Sequence, residues 1–397
     1  MTQARQTEIG AQPGVLFTAF EPSGDAHAAG VIAELRRRRP ELPIYAWGGP
    51  KMRAAGAVIV EATGADAVMG AGSLGKVLEH ARLNRRLRRW LAGHPVALHV
   101  PVDSPAANFP ICKITRRVGC RIVHLVAPQI WAWGPWRIGK LKRLTDHVLC
   151  LLPFEEEYFK SRGVPATFIG HPVMNEPLPA PPLPPEEAED DPNALPEGLP
   201  RVALLPGSRP AEIERNLPTM IAIVDGLRRA EYAQLTAVII SADRKAADLA
   251  RASIPALPGF VRIEVDRLHA VLRWADAAMV CSGTATLNVV RHRVPMVVMF
   301  RTSVLAWWLF GRWVLRSPNR ALPNVVLNER VVPEFIPHFG SDEPIATALD
   351  EVLTDRTVQD RQRDAFTKIA AMYQGRRPEH AAAEILERTL KQAAMGK

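Results

Sequence analysis

The sequence predicts two parallel α/β domains flanking a cleft. Three observations carry that prediction. Short apolar runs alternate with amphipathic helical stretches at the spacing of strand–helix–strand units. A proline- and acid-rich segment from Pro177 to Pro200 interrupts the alternation, which restarts at Val202. The 397-residue length is enough for two cores.

In the first half the strand candidates are Val15–Phe20, Ile44–Trp47, Val58–Glu61, Ala97–Val102, Arg121–Val126, His147–Leu152 and Thr167–Gly170. Amphipathic stretches such as Ala26–Arg39 and Pro105–Val118 lie between them. The segment that follows holds Pro181, Pro182, Pro184 and Pro185 beside Glu186, Glu187, Glu189, Asp190 and Asp191. Such a composition cannot bury a core and reads as a linker or a surface excursion. Strands resume at Val202–Pro206, Thr236–Ala242, Val261–Val265, Ala277–Cys281 and Met296–Phe300, and helices at Pro344–Leu353 and Arg377–Gln392 close the chain. The expected organisation is a first domain over 1–175, a linker over 176–200, a second domain over 201–375 and a closing helix over 376–397.

The net charge of +9 suits an anionic partner, namely nucleic acid, an anionic membrane surface or a phosphorylated substrate. Nucleic acid is the least favoured, because no DNA- or RNA-binding motif accompanies the charge. The four cysteines, Cys112, Cys120, Cys150 and Cys281, form no C-x-x-C and no metal-type spacing with histidine. Core packing in an intracellular protein is the expectation, with no metal site. Met1 to Gly14 lacks an apolar signal core, and no run of about 18 apolar residues suggests a transmembrane helix.

The chemistry concentrates in strand-to-helix turns. Residues 201–209 read Arg-Val-Ala-Leu-Leu-Pro-Gly-Ser-Arg, and 277–287 read Ala-Ala-Met-Val-Cys-Ser-Gly-Thr-Ala-Thr-Leu. Each is an apolar strand running into a small-residue turn before a helix, which leaves backbone N–H groups to cradle a phosphate. Arg209 adds a cation able to clamp a diphosphate bidentately. Two such turns point to a nucleotide or nucleotide-sugar site. In the first half, Phe20-Glu21-Pro22-Ser23-Gly24-Asp25 follows the first strand, and Ser23 or Asp25 is either a helix N-cap or a ligand contact. Asp103 stands at the tip of another strand, where it is either a general base or the cap of the helix near Pro105. Trp131, Trp133 and Trp136 cluster beside Gln129; core packing accounts for one or two of them, and the cluster as a whole suggests a rim for a sugar or an acyl chain.

Two regions bear on lipid. Ser73–Trp90 sets Leu74, Val77, Leu78, Ala81, Leu87 and Trp90 beside Arg82, Arg85, Arg86, Arg88 and Arg89. It reads either as an interfacial helix on an anionic bilayer or as a solvated basic face. Val304–Leu315, with Trp307, Trp308, Phe310 and Trp313, is too short to span a bilayer and reads as a buried helix or an apolar surface patch.

The ordered series Pro22-Ser-Gly-Asp, Gly48-Gly-Pro-Lys-Met, Pro128-Gln-Ile-Trp-Ala-Trp, Leu152-Pro-Phe-Glu and Phe168-Ile-Gly-His-Pro continues past the linker. There it runs through Leu205-Pro-Gly-Ser-Arg-Pro-Ala-Glu-Ile, Ser282-Gly-Thr-Ala-Thr-Leu and Leu322-Pro-Asn. With these motifs, from about Gly14 to the closing helix, the chain resembles the lipid A disaccharide synthase family. The resemblance implies an inverting glycosyltransferase of the GT-B type, with two Rossmann-like domains. The first would face the acceptor and membrane, and the second would bind the UDP-sugar. UDP-2,3-diacylglucosamine would donate its sugar to the 6-hydroxyl of 2,3-diacylglucosamine 1-phosphate, releasing UDP. No metal or cofactor is implied beyond the UDP-sugar donor.

The resemblance assigns the general base to Asp103. It assigns donor binding to Ser208, Arg209, Glu212, Ser282, Gly283, Thr284, Ala285, Thr286 and Asn288, with Ser23, Gly24 and Asp25 from the first domain. It also implies a peripheral protein at the cytoplasmic, inner face of the bacterial inner membrane, and is compatible with a homodimer. The chain departs from the family pattern at five site positions. Asn288 replaces the usual Glu, Phe20 and Pro22 replace Gly and Ala, and Ala106 and Ala107 replace Asp and an aromatic residue. The linker is also longer than usual. Two alternatives follow from these departures: a related enzyme acting on another UDP-sugar, and a non-catalytic paralogue that binds a nucleotide-sugar or lipid.

Overall fold

A computed structural model describes residues 13–63, 73–132, 134–178, 194–302 and 318–395, with the side chains of 73–81 excepted. Trp133, Val304–Leu315, most of the proline- and acid-rich segment and the start of the N-terminus lie outside the described residues. The chain divides into two units, Met1–Asn175 with Gly375–Lys397, and Glu176–Gln374.

The first unit opens with β1 (Gly14–Thr18), every residue of which is buried. A run buried on both faces belongs in the middle of a parallel sheet. Helix α1 (Pro22–Arg38) follows, with proline in its first turn and Arg36, Arg37 and Arg38 in its last, where they complement the helix dipole. Its buried residues include Ala28, Val31, Ile32 and Leu35, a 3-4 spacing that makes one apolar stripe. The elements continue through β2 (Ile44–Gly48), α2 (Pro50–Ala54), β3 (Val58–Ala62), α3 (Ser73–Gly93), β4 (Val96–Pro101), α4 (Pro105–Arg117) and β5 (Arg121–Leu125). They end with α5 (Ile138–Leu144), β6 (His147–Cys150), α6 (Glu155–Lys160), β7 (Ala166–Phe168) and α7 (Pro172–Asn175). The seven strands form one parallel sheet in the order β3-β2-β1-β4-β5-β6-β7.

The closing helix, Pro378–Met395, returns to this first sheet. Ala382, Ala383, Ile385 and Leu386 enter the same buried cluster as Val31, Ile32 and Leu35 of α1. Arg38 and Glu387 join the two helices at 3.2 Å. Gly30 permits the close crossing, since a Cβ there would lie 2.9 Å from Cγ of Glu379.

The second unit contains β8 (Arg201–Leu205), α8 (Pro210–Ala230), β9 (Thr236–Ser241), α9 (Arg244–Ser253), β10 (Val261–Val265) and α10 (Leu268–Trp274). It continues with β11 (Ala277–Cys281), α11 (Ala285–His292), β12 (Met296–Arg301) and β13 (Glu334–His338). Its six strands are parallel in the order β10-β9-β8-β11-β12-β13. Strand β13 and the helix Arg356–Tyr373 are additions to the sequence reading. Pro333 and Pro337 argue against a strand at β13, and the sheet edge is where proline is tolerated.

In both sheets the strand order, though not the strand direction, reverses near the centre, between β1 and β4 and between β8 and β11. In such folds ligands sit outside the carboxyl ends of the strands at that reversal. The turns after β1, β4, β8 and β11 are those that carry the sequence motifs.

Candidate active site

In the second unit, β8 delivers Gly207, Ser208 and Arg209 to the N-terminus of α8. Gly207 has φ +119°, and a Cβ there would fall 2.5 Å from Cβ of Glu212, so the turn needs glycine. Glu212 folds back over the turn. Its Oε2 accepts from the backbone N–H of Ser208 at 3.0 Å and of Arg209 at 3.2 Å, and its Oε1 accepts from Arg209 Nη1 at 3.1 Å. A carboxylate thus sits on two of the donors that a phosphate would use. Arg209 is itself well exposed.

The neighbouring turn follows β11, whose Val280 pairs with Leu205 of β8, so both turns open on one edge. Ser282 donates its N–H to Met299 O at 3.2 Å, and Thr286 Oγ1 donates to Gly283 O at 2.7 Å. These bonds fix the turn and leave Gly283, Thr284 and Ala285 at the start of α11, where amides have no intrahelical acceptor. A Cβ on Gly283 would meet nothing within 4 Å, so the space above the turn is open. Asn288 lies half-buried on α11.

Asn216 was not singled out from sequence. It is fully buried on α8, donates to Pro206 O at 3.2 Å and Cys281 Sγ at 3.3 Å, and accepts from Arg301 N at 2.8 Å. One side chain thereby ties the ends of β8, β11 and β12. Its only sequence signal is an asparagine on the apolar face of an amphipathic helix.

In the first unit, Asp103 follows β4 in the left-handed region, at φ 45°, and Ser104 follows at φ 39°. Ser104, not Asp103, holds the N-cap position of α4, which corrects the capping alternative for Asp103. Non-glycine residues persist in this region only when their surroundings over-determine them. Here a buried polar chain does so. Burial holds His99 neutral, with its pKa lowered to about 3, and holds His124 at about 4. The hydrogen-bond pattern then assigns the protons. Thr115 Oγ1 donates to His99 Nδ1 at 2.9 Å, and His99 Nε2 donates to Thr18 Oγ1 at 2.9 Å. Thr18 donates in turn to Asn108 Oδ1 at 2.6 Å. Asn108 Nδ2 ends the chain on the carbonyls of Val102, at 3.0 Å, and Asp103, at 2.9 Å. His124 Nε2 donates to the same Asp103 carbonyl at 3.3 Å, while Asp103 N donates to Leu125 O at 3.0 Å.

The turn after β1 corrects the capping alternative for α1. The N-cap of α1 is Glu21, so neither Ser23 nor Asp25 caps that helix. Asp25 is buried and caps α2 instead, accepting from the N–H groups of Gly49 at 2.9 Å, Lys51 at 3.0 Å and Met52 at 3.1 Å. Gly24 is buried against Ala19 and Val102, and Ser23 is exposed. Ser104 Oγ donates to Glu21 Oε1 at 3.2 Å and joins this turn to that of Asp103. The bulk of Phe20 is accommodated by packing on the cluster of Leu16, Trp47, Leu87, Ile111 and Ile114. His27 and His171 stack edge to face at 5.6 Å, and burial lowers them to about 4 and about 3.

On α3, Arg82, Arg85, Arg86, Arg88 and Arg89 are exposed, whereas Leu87 is buried and Trp90 half-buried in the same apolar cluster. Arg86 pairs with Glu61 at 2.7 Å. No helix among the described residues is long and apolar enough to cross a membrane, and no group of three or more His, Cys, Asp or Glu among them could hold a metal ion.

The family model for Lipid-A-disaccharide synthetase matches residues 15–386. The chain belongs to that family. A lipid-A-disaccharide synthase of Anaeromyxobacter sp. (strain K) is 33% identical over 360 residues, covering 90% of this chain and 92% of that protein. The one from Chromobacterium violaceum is 32% identical, covering 94% and 96%. Among solved structures, the calicheamicin glycosyltransferase CalG4 superposes with a TM-score of 0.59 at 16% identity, covering 96% of this chain and 99% of that one. Two Rossmann-like domains of the GT-B class account for the two sheets described above. This member of the lipid-A-disaccharide synthetase family is a hexosyltransferase that forms the lipid A disaccharide, from nucleotide-sugar and lipid substrates.

Proposed function

We propose that the enzyme transfers diacylglucosamine from UDP-2,3-diacylglucosamine to the 6-hydroxyl of 2,3-diacylglucosamine 1-phosphate, with Asp103 as general base. The acceptor oxygen bonds to the anomeric carbon as the bond to the UDP oxygen breaks, with inversion. The hydroxyl proton passes to the Asp103 carboxylate. The observation that carries this reading is the buried chain from Thr115 through His99, Thr18 and Asn108 to the Asp103 backbone. That chain holds one carboxylate in a left-handed turn at the reversal of the first sheet.

Charge developing on the leaving diphosphate falls to Arg209 and the N-termini of α8 and α11, with no metal or cofactor required. Glu212 must then yield the N–H groups of Ser208 and Arg209 to the incoming phosphate, and the open space over Gly283 admits it. Asn288 offers a carbonyl oxygen for the ribose hydroxyls. The exposed arginines of α3 draw the enzyme to the anionic cytoplasmic face of the inner membrane, where both acylated substrates reside. Incubation with diacylated and non-acylated UDP-sugars, read by mass spectrometry, tests the reading. Disaccharide from the diacylated pair alone supports it. Equal turnover of non-acylated sugars redirects it to another UDP-sugar, and no turnover at all overturns it.

A further inference from the structure

The Pro128–Ala132 segment follows β5, and Leu152–Glu155 follows β6, on the same edge of the sheet as Asp103. Glu155, a glutamate to which the reaction above gives no part, joins the two segments. It is buried, with only 2% of its surface exposed. Its Oε1 accepts from the Trp131 indole Nε1 at 3.0 Å, and its Oε2 accepts from the N–H groups of Leu151 at 3.2 Å and Leu152 at 3.0 Å. The preceding residue, Phe154, meets the Trp131 ring edge to face at 4.9 Å. Two successive residues of α6 and its entry thus grip one indole by its nitrogen and by its ring. Gln129 and Trp136, on the same connection as Trp131, are exposed.

We infer that Glu155 is a positioning residue that fixes the Trp131 segment as the wall against which the acylated sugar acceptor is seated. The inference rests on the proposed reaction and extends it. All three partners of the carboxylate are donors, so only the ionised form satisfies them; a protonated Glu155 sets its own O–H against an N–H. Burial, aided by the like charge of Asp103, pushes this carboxyl up to about 7 despite the three donors. The other titratable neighbour, Cys150 of β6, stays a neutral thiol because burial raises it far above the ordinary range. The wall is therefore held firmly above pH 7 and is released as the pH falls below it.

The test uses the full chain with 2,3-diacylglucosamine 1-phosphate as the varied substrate. Glu155→Gln should raise the acceptor KM about tenfold, the loss expected for a hydrogen bond to a charged group, with kcat and UDP affinity within twofold of wild type. The wild-type acceptor KM should climb as the pH drops below about 7, whereas that of Glu155→Gln should already be high and stay level. Trp131→Phe keeps the ring on Phe154 but removes the donor. It should match the effect, add nothing in the double variant, and keep the test open if Glu155→Gln fails to fold. The indole resonance of Trp131 in ¹⁵N-labelled protein should move in Glu155→Gln without any substrate. A turning-over wild type whose two variants keep its acceptor KM and pH dependence overturns the inference alone. A wild type without turnover overturns the proposed reaction and this inference with it.

Discussion

The two sheet reversals share one topology and opposite chemistry. After β8 and β11 the chain turns on Gly207 and Gly283, at φ +119° and +152°, and presents small residues, backbone amides and Arg209. After β1 and β4 it turns on Asp103 and Ser104, non-glycine residues at φ 45° and 39°. There it presents a carboxylate backed by buried histidine, threonine and asparagine. Glycine gives a turn its shape at no steric cost and lets a ligand approach the backbone. A strained aspartate must be held in place, and the Thr115–His99–Thr18–Asn108 chain holds it. Under the proposed reaction, the second unit receives negative charge and the first removes a proton.

The largest effect should come from the first unit. Asp103→Asn is nearly isosteric and should lower turnover by roughly 10²–10⁴ while melting within a few degrees of wild type. Turnover within a few-fold of wild type would erase the proposed division of labour, and His27 or His171 would be tested next. In the second unit, Arg209→Ala should weaken UDP binding about ten- to a hundredfold, as expected for one charge-assisted contact. Unchanged affinity by calorimetry in the folded variant would put the diphosphate elsewhere.

Acid sharpens the contrast. Burial lowers His27 and His124 to about 4 and His99 and His171 to about 3, all in the first unit. In the second unit burial lowers His292 to about 4 and also lowers His269. Each such group binds a proton in the unfolded chain near pH 6.5 but not in the folded one. Its stabilising share is therefore intact above 6.5 and shrinks as the pH falls towards the folded value. The first unit should lose protection against hydrogen exchange first between pH 6.5 and 4, and earlier opening of the second would contradict this. Residue for residue, the smallest effect concerns lipid. Reversing Arg85, Arg86 and Arg89 to Glu should release the protein from anionic vesicles in a sedimentation assay, at about 1 kcal/mol per residue. Sedimentation equal to wild type would leave α3 as a solvated face.

What could be read from sequence follows from where the information lies along the chain. Residues 277–285 announce a strand and a small-residue turn because an apolar run meets Ser-Gly-Thr-Ala directly. Strand β13 stayed hidden because Pro333 and Pro337 are ordinary breakers and only its edge position tolerates them. In the sequence, Asn108 and His124 are single polar residues on apolar segments. Their common target, the Asp103 carbonyl, exists only once β4 and β5 are side by side. Asp25 was legible as a cap but not of which helix, since α2 begins far along the chain at Pro50. The spacing of Glu212 from Ser208 was visible, but that its carboxylate covers the cradle is a matter of side-chain direction.

The proposed division of binding from proton removal between the two reversals is decided by a crossed measurement on full-length Asp103→Asn and Arg209→Ala. UDP affinity by calorimetry and disaccharide formation are measured on both. Asp103→Asn should bind UDP as wild type does yet form almost no disaccharide, whereas Arg209→Ala should lose UDP affinity and turnover together. Loss of UDP affinity in Asp103→Asn, or near-normal turnover by it, would contradict the account.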